Sequence, residues 1–174
     1  MFMSSLPKAS VVELESAVID GVEFARCRGR MRGAVPVGRL ERLVDVLAES
    51  TGELAWEVAG WVGADGKAML QLQVSGSLAL TCQRCLESLR WPCELETRFV
   101  LVPEGSEWPE GDLEDDGVDA IPASTAMALL PLVEDEVLLA LPAVPRHESC
   151  RLPGPALDKG AESPFAALAR LKKH

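Results

Sequence analysis

The clearest pattern in the chain is an alternation of apolar and polar side chains between residues 70 and 101. In its first half the apolar positions are Leu70, Leu72, Val74, Leu78 and Leu80. In its second half they are Leu89, Trp91, Cys93, Leu95, Phe99 and Leu101. A period of two is typical of a strand with one buried face. The two runs therefore predict two long β-strands.

A third strand is predicted just before them, from Gly52 to Trp61. The sequence Gly63-Ala64-Asp65-Gly66 then supplies an Asp-Gly turn. Gly76 lies on the apolar face of the second strand, which indicates a bulge or a close packing contact. Three consecutive strands with short connections predict an antiparallel meander over about residues 52–101.

Two helices are predicted before the meander. Asp20, followed three residues later by Glu23, has the form of a capping box, and this predicts a short helix through about Cys27. Helical spacing predicts a second helix over residues 37–48, with one apolar face made of Leu40, Leu43, Val44 and Leu47.

Two more helices are predicted after the meander. Residues 126–141 favour a helix that follows Pro131 and ends at Pro142. Residues 142–162 are rich in proline and are expected to be irregular. Ser163-Pro164 then predicts the start of a terminal helix over 165–173.

These elements predict an α+β fold in which a central antiparallel β-meander packs with several short helices. A chain of 174 residues suffices for one core, and we expect a single domain over 1–174. The segment 104–119 contains eight acidic residues, no Lys or Arg and no periodicity. It is expected to be a mobile acidic loop.

Charge changes this picture only locally. The formal net charge is −10, and an acidic protein repels nucleic acid at long range. Because most of the excess lies in the acidic segment, the rest of the chain is close to neutral. The chain start lacks a basic stretch followed by an apolar one, and no run of about 18 apolar residues occurs. We expect a cytoplasmic protein that does not enter a membrane.

A Cys-x-x-Cys at Cys82 and Cys85 lies between the second and third strands of the meander. Two thiolates at this spacing form half of a zinc site, and His147 and Cys150 are the candidates for the other half. The alternatives are a redox pair and a structural turn without metal. Zinc is therefore a possible cofactor, and the sequence requires no other.

Arginines are concentrated in residues 26–42, at positions 26, 28, 30, 32, 39 and 42. Guanidinium groups match phosphate oxygens well, so the cluster is either a nucleic-acid contact or a solvated face. No Gly-x-Ser-x-Gly, Walker-type or Gly-x-Gly-x-x-Gly motif is present, and the chain has two histidines. We expect a protein that is not an enzyme.

Three blocks of the sequence carry a family resemblance. Leu80-Thr81-Cys82-Gln83-Arg84-Cys85-Leu86 resembles the signature of the YceD family. Residues 133–142, followed by Val144-Pro145 and His147, are similar to its second block, and residues 163–172 to its terminal helix. Some relatives carry further cysteines after the second block, which complete a zinc ribbon, whereas this chain has only Cys150 there.

The resemblance implies a non-enzymatic factor for the synthesis, processing or stability of large-subunit (23S) ribosomal RNA, in large-subunit biogenesis. Its partners are then this RNA or its precursor particles. The acidic segment 104–119 is by itself a solvated loop, a divalent-ion site or a contact for a basic ribosomal protein, which would be a second partner. The residues expected to face RNA are Arg28, Arg30, Arg32, Arg39, Arg42 and Arg84. Those expected to face the ribosomal protein are Glu110, Asp112, Glu114, Asp115 and Asp116. The alternative function is a zinc- or thiol-dependent regulatory protein that uses Cys82 and Cys85.

Overall fold

A computed structural model describes residues 10–108 and 118–152. Its strands are Ser10–Val11 (β1), Val18–Ile19 (β2), Arg30–Pro36 (β3), Leu47–Glu49 (β4), Glu53–Val62 (β5), Ala68–Thr81 (β6), Ser88–Val102 (β7), Val118–Pro122 (β8) and Met127–Ala128 (β9). Its α-helices are Gly21–Arg26 (α1), Glu41–Val44 (α2) and Leu129–Ala140 (α3). The main sheet has the order β1-β3-β5-β6-β7-β8, with β4 also paired to β6, and β2 pairs with β9 separately.

The three longest strands are those that the alternation predicts. β5, β6 and β7 are consecutive in the chain and antiparallel, and β6 pairs with β7 from Ala68↔Leu101 to Thr81↔Ser88. The β5–β6 connection is the predicted turn, with Gly66 at a φ of +84° that favours glycine. The predicted α+β fold with a central antiparallel meander is confirmed.

One face of the meander is buried, as the period of two requires. The five apolar positions predicted in β6 are all at most 2% exposed. Gly76 continues this face, where a Cβ atom would lie 2.6 Å from Cδ2 of Leu54. Because the pairing register runs through Gly76 unchanged, the glycine serves close packing between strands and not a bulge.

The sheet extends beyond the meander on both sides. β3 pairs antiparallel with β5, and β1 lies parallel to β3. On the opposite edge, β8 lies parallel to β7, with Val118 and Asp119 opposite Arg98 and Phe99. The predicted acidic loop 104–119 is therefore too long at its C-terminal end, because two of its residues belong to a strand.

The predicted helix over 37–48 is wrong. A 3₁₀ turn at Val37–Arg39 and the single turn of α2 precede β4, in which Leu47 pairs with Leu80. Leu40 and Leu43 are buried, as helical spacing suggested, but Val44 is exposed. A helix of about three turns is marginal without tertiary support, so strand pairing of Leu47 decides the local structure.

The other described helices follow their sequence signals. The carboxylate of Asp20 accepts a hydrogen bond from the Glu23 amide at 2.9 Å and caps α1. The prediction that the next helix follows Pro131 is wrong: α3 begins two residues earlier, so Pro131 lies in its first turn, where a missing N–H removes no helical hydrogen bond. It ends before Pro142, as predicted. The predicted terminal helix over 165–173 lies outside the described residues.

The helices pack on the buried face of the sheet. α3 contributes Leu129, Val133 and Val137 to the core, where they join the sheet residues Leu72 and Phe99. The core is mostly leucine and valine, as expected for a chain with 5% aromatic residues. None of the helices in 10–108 and 118–152 is long and apolar enough to cross a membrane.

Candidate metal centre and arginine surface

The β6–β7 hairpin ends in a compact turn that carries the Cys-x-x-Cys. The amide of Cys82 donates to the Glu87 carbonyl, and the amide of Leu86 donates to the Cys82 carbonyl, both at 2.9 Å. Leu86 has a φ of +64°, in the left-handed region that non-glycine residues rarely adopt. This turn directs both thiols toward the same point.

The chain that follows α3 supplies the other half of the site. After Pro142 the residues to 152 contain neither helix nor strand, as predicted for this proline-rich segment. A backbone hydrogen bond of 2.9 Å from Gln83 to the Pro145 carbonyl ties this segment to the hairpin tip. His147 and Cys150 thereby come to lie over the Cys-x-x-Cys.

Cys82, Cys85, His147 and Cys150 form one cluster, in which their ligand atoms all lie within 4.8 Å of one another. The Sγ atoms of Cys82 and Cys150 are 3.7 Å apart, and Cys85 Sγ lies 3.3 Å from His147 Nδ1. The four side chains are buried or half-buried. These are the four ligands that the sequence predicts, and this group can bind a metal ion.

Two distances within the cluster can be compared with those of a tetrahedral zinc site. Bonds of about 2.3 Å to sulfur and about 2.0 Å to nitrogen separate two sulfurs by about 3.8 Å, and a sulfur from a nitrogen by about 3.5 Å. The observed 3.7 and 3.3 Å are close to these values. A disulfide needs a distance of about 2.05 Å between its two sulfur atoms. The five cysteines are all free thiols.

The electrostatics of the cluster favour a thiolate at Cys82. Burial alone would raise its pKa, but backbone hydrogen bonds from Cys85, His147 and Arg84 outweigh burial and lower the pKa from 9.0 to about 5. At Cys85 the backbone of Glu87 lowers the pKa, yet burial and the hydrogen bonds with Cys82 and Cys150 leave it raised. A buried anion that is surrounded by further sulfur ligands is suited to receive a cation.

Five of the six arginines predicted to face RNA are exposed: Arg28, Arg30, Arg32, Arg39 and Arg42. Arg30 and Arg32 lie two positions apart on β3 and share one face of the sheet. Arg30 lies 3.6 Å from Glu57, and Arg39 lies 3.7 Å from Glu15. Ion pairs this exposed are weak, so they leave these guanidinium groups accessible to a phosphate.

Arg42 and Arg84 differ from the other predicted arginines in making short contacts within the chain. Arg42 binds the carboxylates of Glu134 and Asp135, and Arg84 donates from Nε to Cys150 Sγ at 2.9 Å. A guanidinium that is already shared with two carboxylates or with a ligand cluster has few donors left. These contacts argue against the RNA contacts predicted for Arg42 and Arg84.

The acidic residues predicted to contact a ribosomal protein all lie outside the described residues: Glu110, Asp112, Glu114, Asp115 and Asp116. Within the described part of the same segment, Glu104 and Glu107 are exposed.

Sequence reasoning missed the carboxylates of α3. Glu134 is only 6% exposed and pairs with Arg42. Glu136 is half-buried and accepts a hydrogen bond from Thr97 Oγ1 at 2.7 Å. Their signal was present in the sequence, because a glutamate at helical spacing among apolar residues faces the core and needs a partner there.

Comparisons with known proteins relate the chain to one family. The family model of the large ribosomal RNA subunit accumulation protein YceD matches residues 70–172, which include all four clustered ligands. A protein of Haemophilus influenzae with that name is 26% identical over 167 residues, which cover 89% of this chain and 94% of the relative. No solved structure is significantly similar to the chain.

Proposed function

The chain belongs to the YceD family of large ribosomal RNA subunit accumulation proteins, and we propose from this that it promotes accumulation of large-subunit (23S) ribosomal RNA. The family match over residues 70–172 is the observation that carries the proposal. The protein acts by binding large-subunit RNA or its precursor particles in the cytoplasm.

The exposed arginines support a direct contact with RNA. Arg28 lies in the turn after α1, Arg30 and Arg32 follow on β3, and all three are exposed. Arginine forks bind phosphate oxygens in two-point contacts, which position a protein on RNA without reading its sequence. The acidic segment would repel RNA by its negative charge. It is therefore the proposed contact for a basic ribosomal protein.

We propose binding without catalysis. The one thiol–imidazole pair among the described residues is better suited to coordinating a metal ion than to nucleophilic attack. Cys85 and His147 have the spacing of a nucleophile and its base. A nucleophilic cysteine needs a lowered pKa beside its base, whereas the pKa of Cys85, which contacts the imidazole, is raised despite the opposing backbone of Glu87. The lowered pKa belongs to Cys82, whose Sγ accepts a hydrogen bond from the backbone amide of His147. Cys82 and Cys150 also crowd the same point, which leaves a substrate little room.

We propose further that zinc is held by the thiolates of Cys82, Cys85 and Cys150 and by Nδ1 of His147. Four protein ligands leave no open coordination position, so the metal would supply structure and no reaction. The ligands join the tip of the β6–β7 hairpin to the segment after α3. The site would thus fix a part of the chain that contains neither helix nor strand.

Depletion of the protein in its own cells tests the proposed function. The amount of 23S RNA relative to small-subunit RNA, and the gradient profile of the subunits, are compared before and after depletion. A selective loss of 23S RNA, restored by the native gene, supports the proposal. Unchanged RNA and subunit profiles would refute it.

The alternative function is a zinc- or thiol-dependent regulatory protein. The convergence of three thiols on one imidazole favours this function, since such a cluster can respond to metal or oxidant. In the depletion experiment, complementation with a variant that carries both Cys82→Ser and Cys85→Ser distinguishes the RNA-accumulation function from the regulatory function. If 23S RNA is normal with this variant but its accumulation no longer responds to zinc or peroxide, the cluster regulates the protein and is not needed for its basic action.

A further inference from the structure

Arg84 lies between the two cysteines of the Cys-x-x-Cys, but its side chain reaches the opposite half of the cluster. Its Nε donates to Cys150 Sγ at 2.9 Å, and its Nη2 donates to the carbonyl of His147 at 2.9 Å. The same Nη2 lies 3.5 Å from the carbonyl of Glu148. One half-buried guanidinium therefore contacts the ligand atom of Cys150 and backbone carbonyls of the segment that precedes Cys150.

The charge of the ligand set explains why a cation belongs here. Three thiolates and a neutral imidazole carry three negative charges. A divalent zinc ion would balance two of them and leave a remainder of one negative charge. Cys82 is fully buried and Cys150 half-buried, so this remainder is partly removed from water, which is unfavourable unless it is paired. The guanidinium of Arg84 balances it.

The shape of the guanidinium matters as well as its charge. Its planar fork spans from Cys150 Sγ to the His147 carbonyl, so it fixes the orientation of the segment that carries both of these ligands. A lysine ammonium in its place provides the charge but not this rigid two-point contact. Groups that hydrogen-bond to metal ligands in this way strengthen metal binding.

We propose that Arg84 is a positioning residue of the metal centre: it neutralises the ligand set and holds Cys150 against the hairpin tip. The inference rests on the zinc binding proposed above. It assigns the arginine of the Cys-x-x-Cys turn to the metal centre and not to RNA. The coordinating atoms remain those of Cys82, Cys85, His147 and Cys150.

Competition with a chromophoric zinc chelator tests the proposal in the full chain. Arg84→Gln is expected to weaken zinc binding about 10- to 100-fold. Arg84→Lys retains the charge without the fork, and its affinity is expected to lie between those of Arg84→Gln and the native chain. Arg146→Gln is the matched control, because it removes an exposed charge next to His147 and should change the affinity less than about twofold.

Alkylation of the zinc-loaded protein separates positioning from a general loss of structure. With iodoacetamide and mass spectrometry of the peptides, Arg84→Gln should accelerate the reaction of Cys150 several-fold more than that of Cys82 or Cys85. Exposed Cys27 is the internal reference. Equal acceleration of all three ligand thiols would show general loosening and overturn the proposal.

The two proposals fail in different ways. If the native chain binds no zinc, the metal centre itself is refuted. If the native chain binds zinc and Arg84→Gln binds it equally well, with Cys150 unchanged in reactivity, only the role of Arg84 is refuted. Circular dichroism in excess zinc confirms that each variant is folded before either comparison is made.

Discussion

The carboxylate of Glu134 holds Arg42 by two bonds, one of 2.9 Å to Nε and one of 2.7 Å to the backbone amide. The contact joins α3 to α2, and Arg42 and Glu134 lie 92 positions apart in the sequence. Because Glu134 is nearly fully buried, its charge is stabilised by these donors and not by water. An arginine predicted to bind RNA thus serves the packing of two helices.

Glu134→Gln is expected to destabilise the protein. Glutamine has one acceptor oxygen, so either the amide or the Nε of Arg42 would face an NH₂ group and lose its partner. We expect the melting temperature to fall by about 3–8 °C. Thermal unfolding followed by circular dichroism measures this change.

Asp135→Asn provides the matched control for this prediction. Asp135 contacts the same guanidinium but is exposed, and such surface pairs contribute little to stability. Its melting temperature should change by less than about 2 °C. Equal effects of the two variants would contradict the distinction between a buried and an exposed carboxylate.

Glu136 gives a prediction about pH. Burial raises its pKa above the ordinary 4.5; a hydrogen bond from Thr97 opposes this, while Asp119 and Asp135 add to it. The native state therefore holds this proton to higher pH than the unfolded state. Stability from this group is present below pH 4.5 and is lost as pH rises through the raised pKa.

Glu136→Gln should consequently raise the melting temperature at pH 7 by about 1–3 °C, since the neutral amide still accepts from Thr97. The gain should vanish near pH 4, where the glutamate is also neutral. Melting curves of both proteins between pH 4 and 7 check this, with exposed Glu94→Gln as the control. A variant that is less stable than the native chain at pH 7 would contradict the stated cause.

The central meander was predictable because burial of one sheet face imposes a period of two over many residues. In β6 and β7 this pattern gave the strand limits to within two or three residues. β3 and β8 were missed because most of their side chains are exposed or half-exposed, so neither has a clearly apolar face. Residues 37–48 were misassigned because the helical spacing between Leu40 and Leu47 covers only about two turns. The same spacing also fits a 3₁₀ turn and a single α-helical turn followed by a strand.

The cluster of candidate metal ligands was predictable in identity but not in geometry. Thiol and imidazole side chains are rare in this chain, so few residues could complete the Cys-x-x-Cys. Their convergence depends on the backbone bond between Gln83 and Pro145, which no local pattern shows. The role of Arg84 was likewise hidden, since an arginine in a turn is usually exposed.

Zinc content of purified variants tests the ligand set. The native chain should retain about one zinc per chain after dialysis, as expected for a closed four-ligand site. Cys150→Ser should lose most of it, because serine does not replace a thiolate. Elemental analysis measures the ratio of zinc to protein.

Cys27→Ser is the control for the zinc measurement. Cys27 is exposed and its thiol donates to Glu23 at 3.2 Å, away from the cluster. Its replacement should leave the zinc content unchanged. Retention of zinc by Cys150→Ser, or its loss from Cys27→Ser, would show that the metal is held by other groups.

The exposed arginines give the most direct test of RNA binding. A triple variant with Arg28→Gln, Arg30→Gln and Arg32→Gln removes three potential phosphate contacts while leaving the core intact. Each lost contact should lower the slope of log affinity against log salt by about one, so we expect a decrease of about two to three. Binding to large-subunit precursor RNA at several salt concentrations measures the slope.

A second triple variant controls for net charge alone. It carries glutamine at three other exposed arginines, Arg90, Arg146 and Arg151. Both triple variants remove three positive charges, so any effect of overall repulsion is the same in each, whereas only the first removes the proposed phosphate contacts. If the slope of log affinity against log salt falls equally in both variants, Arg28, Arg30 and Arg32 form an ordinary solvated face. A fall confined to the first, with an unchanged melting temperature, would place the RNA on the surface formed by the end of α1 and β3.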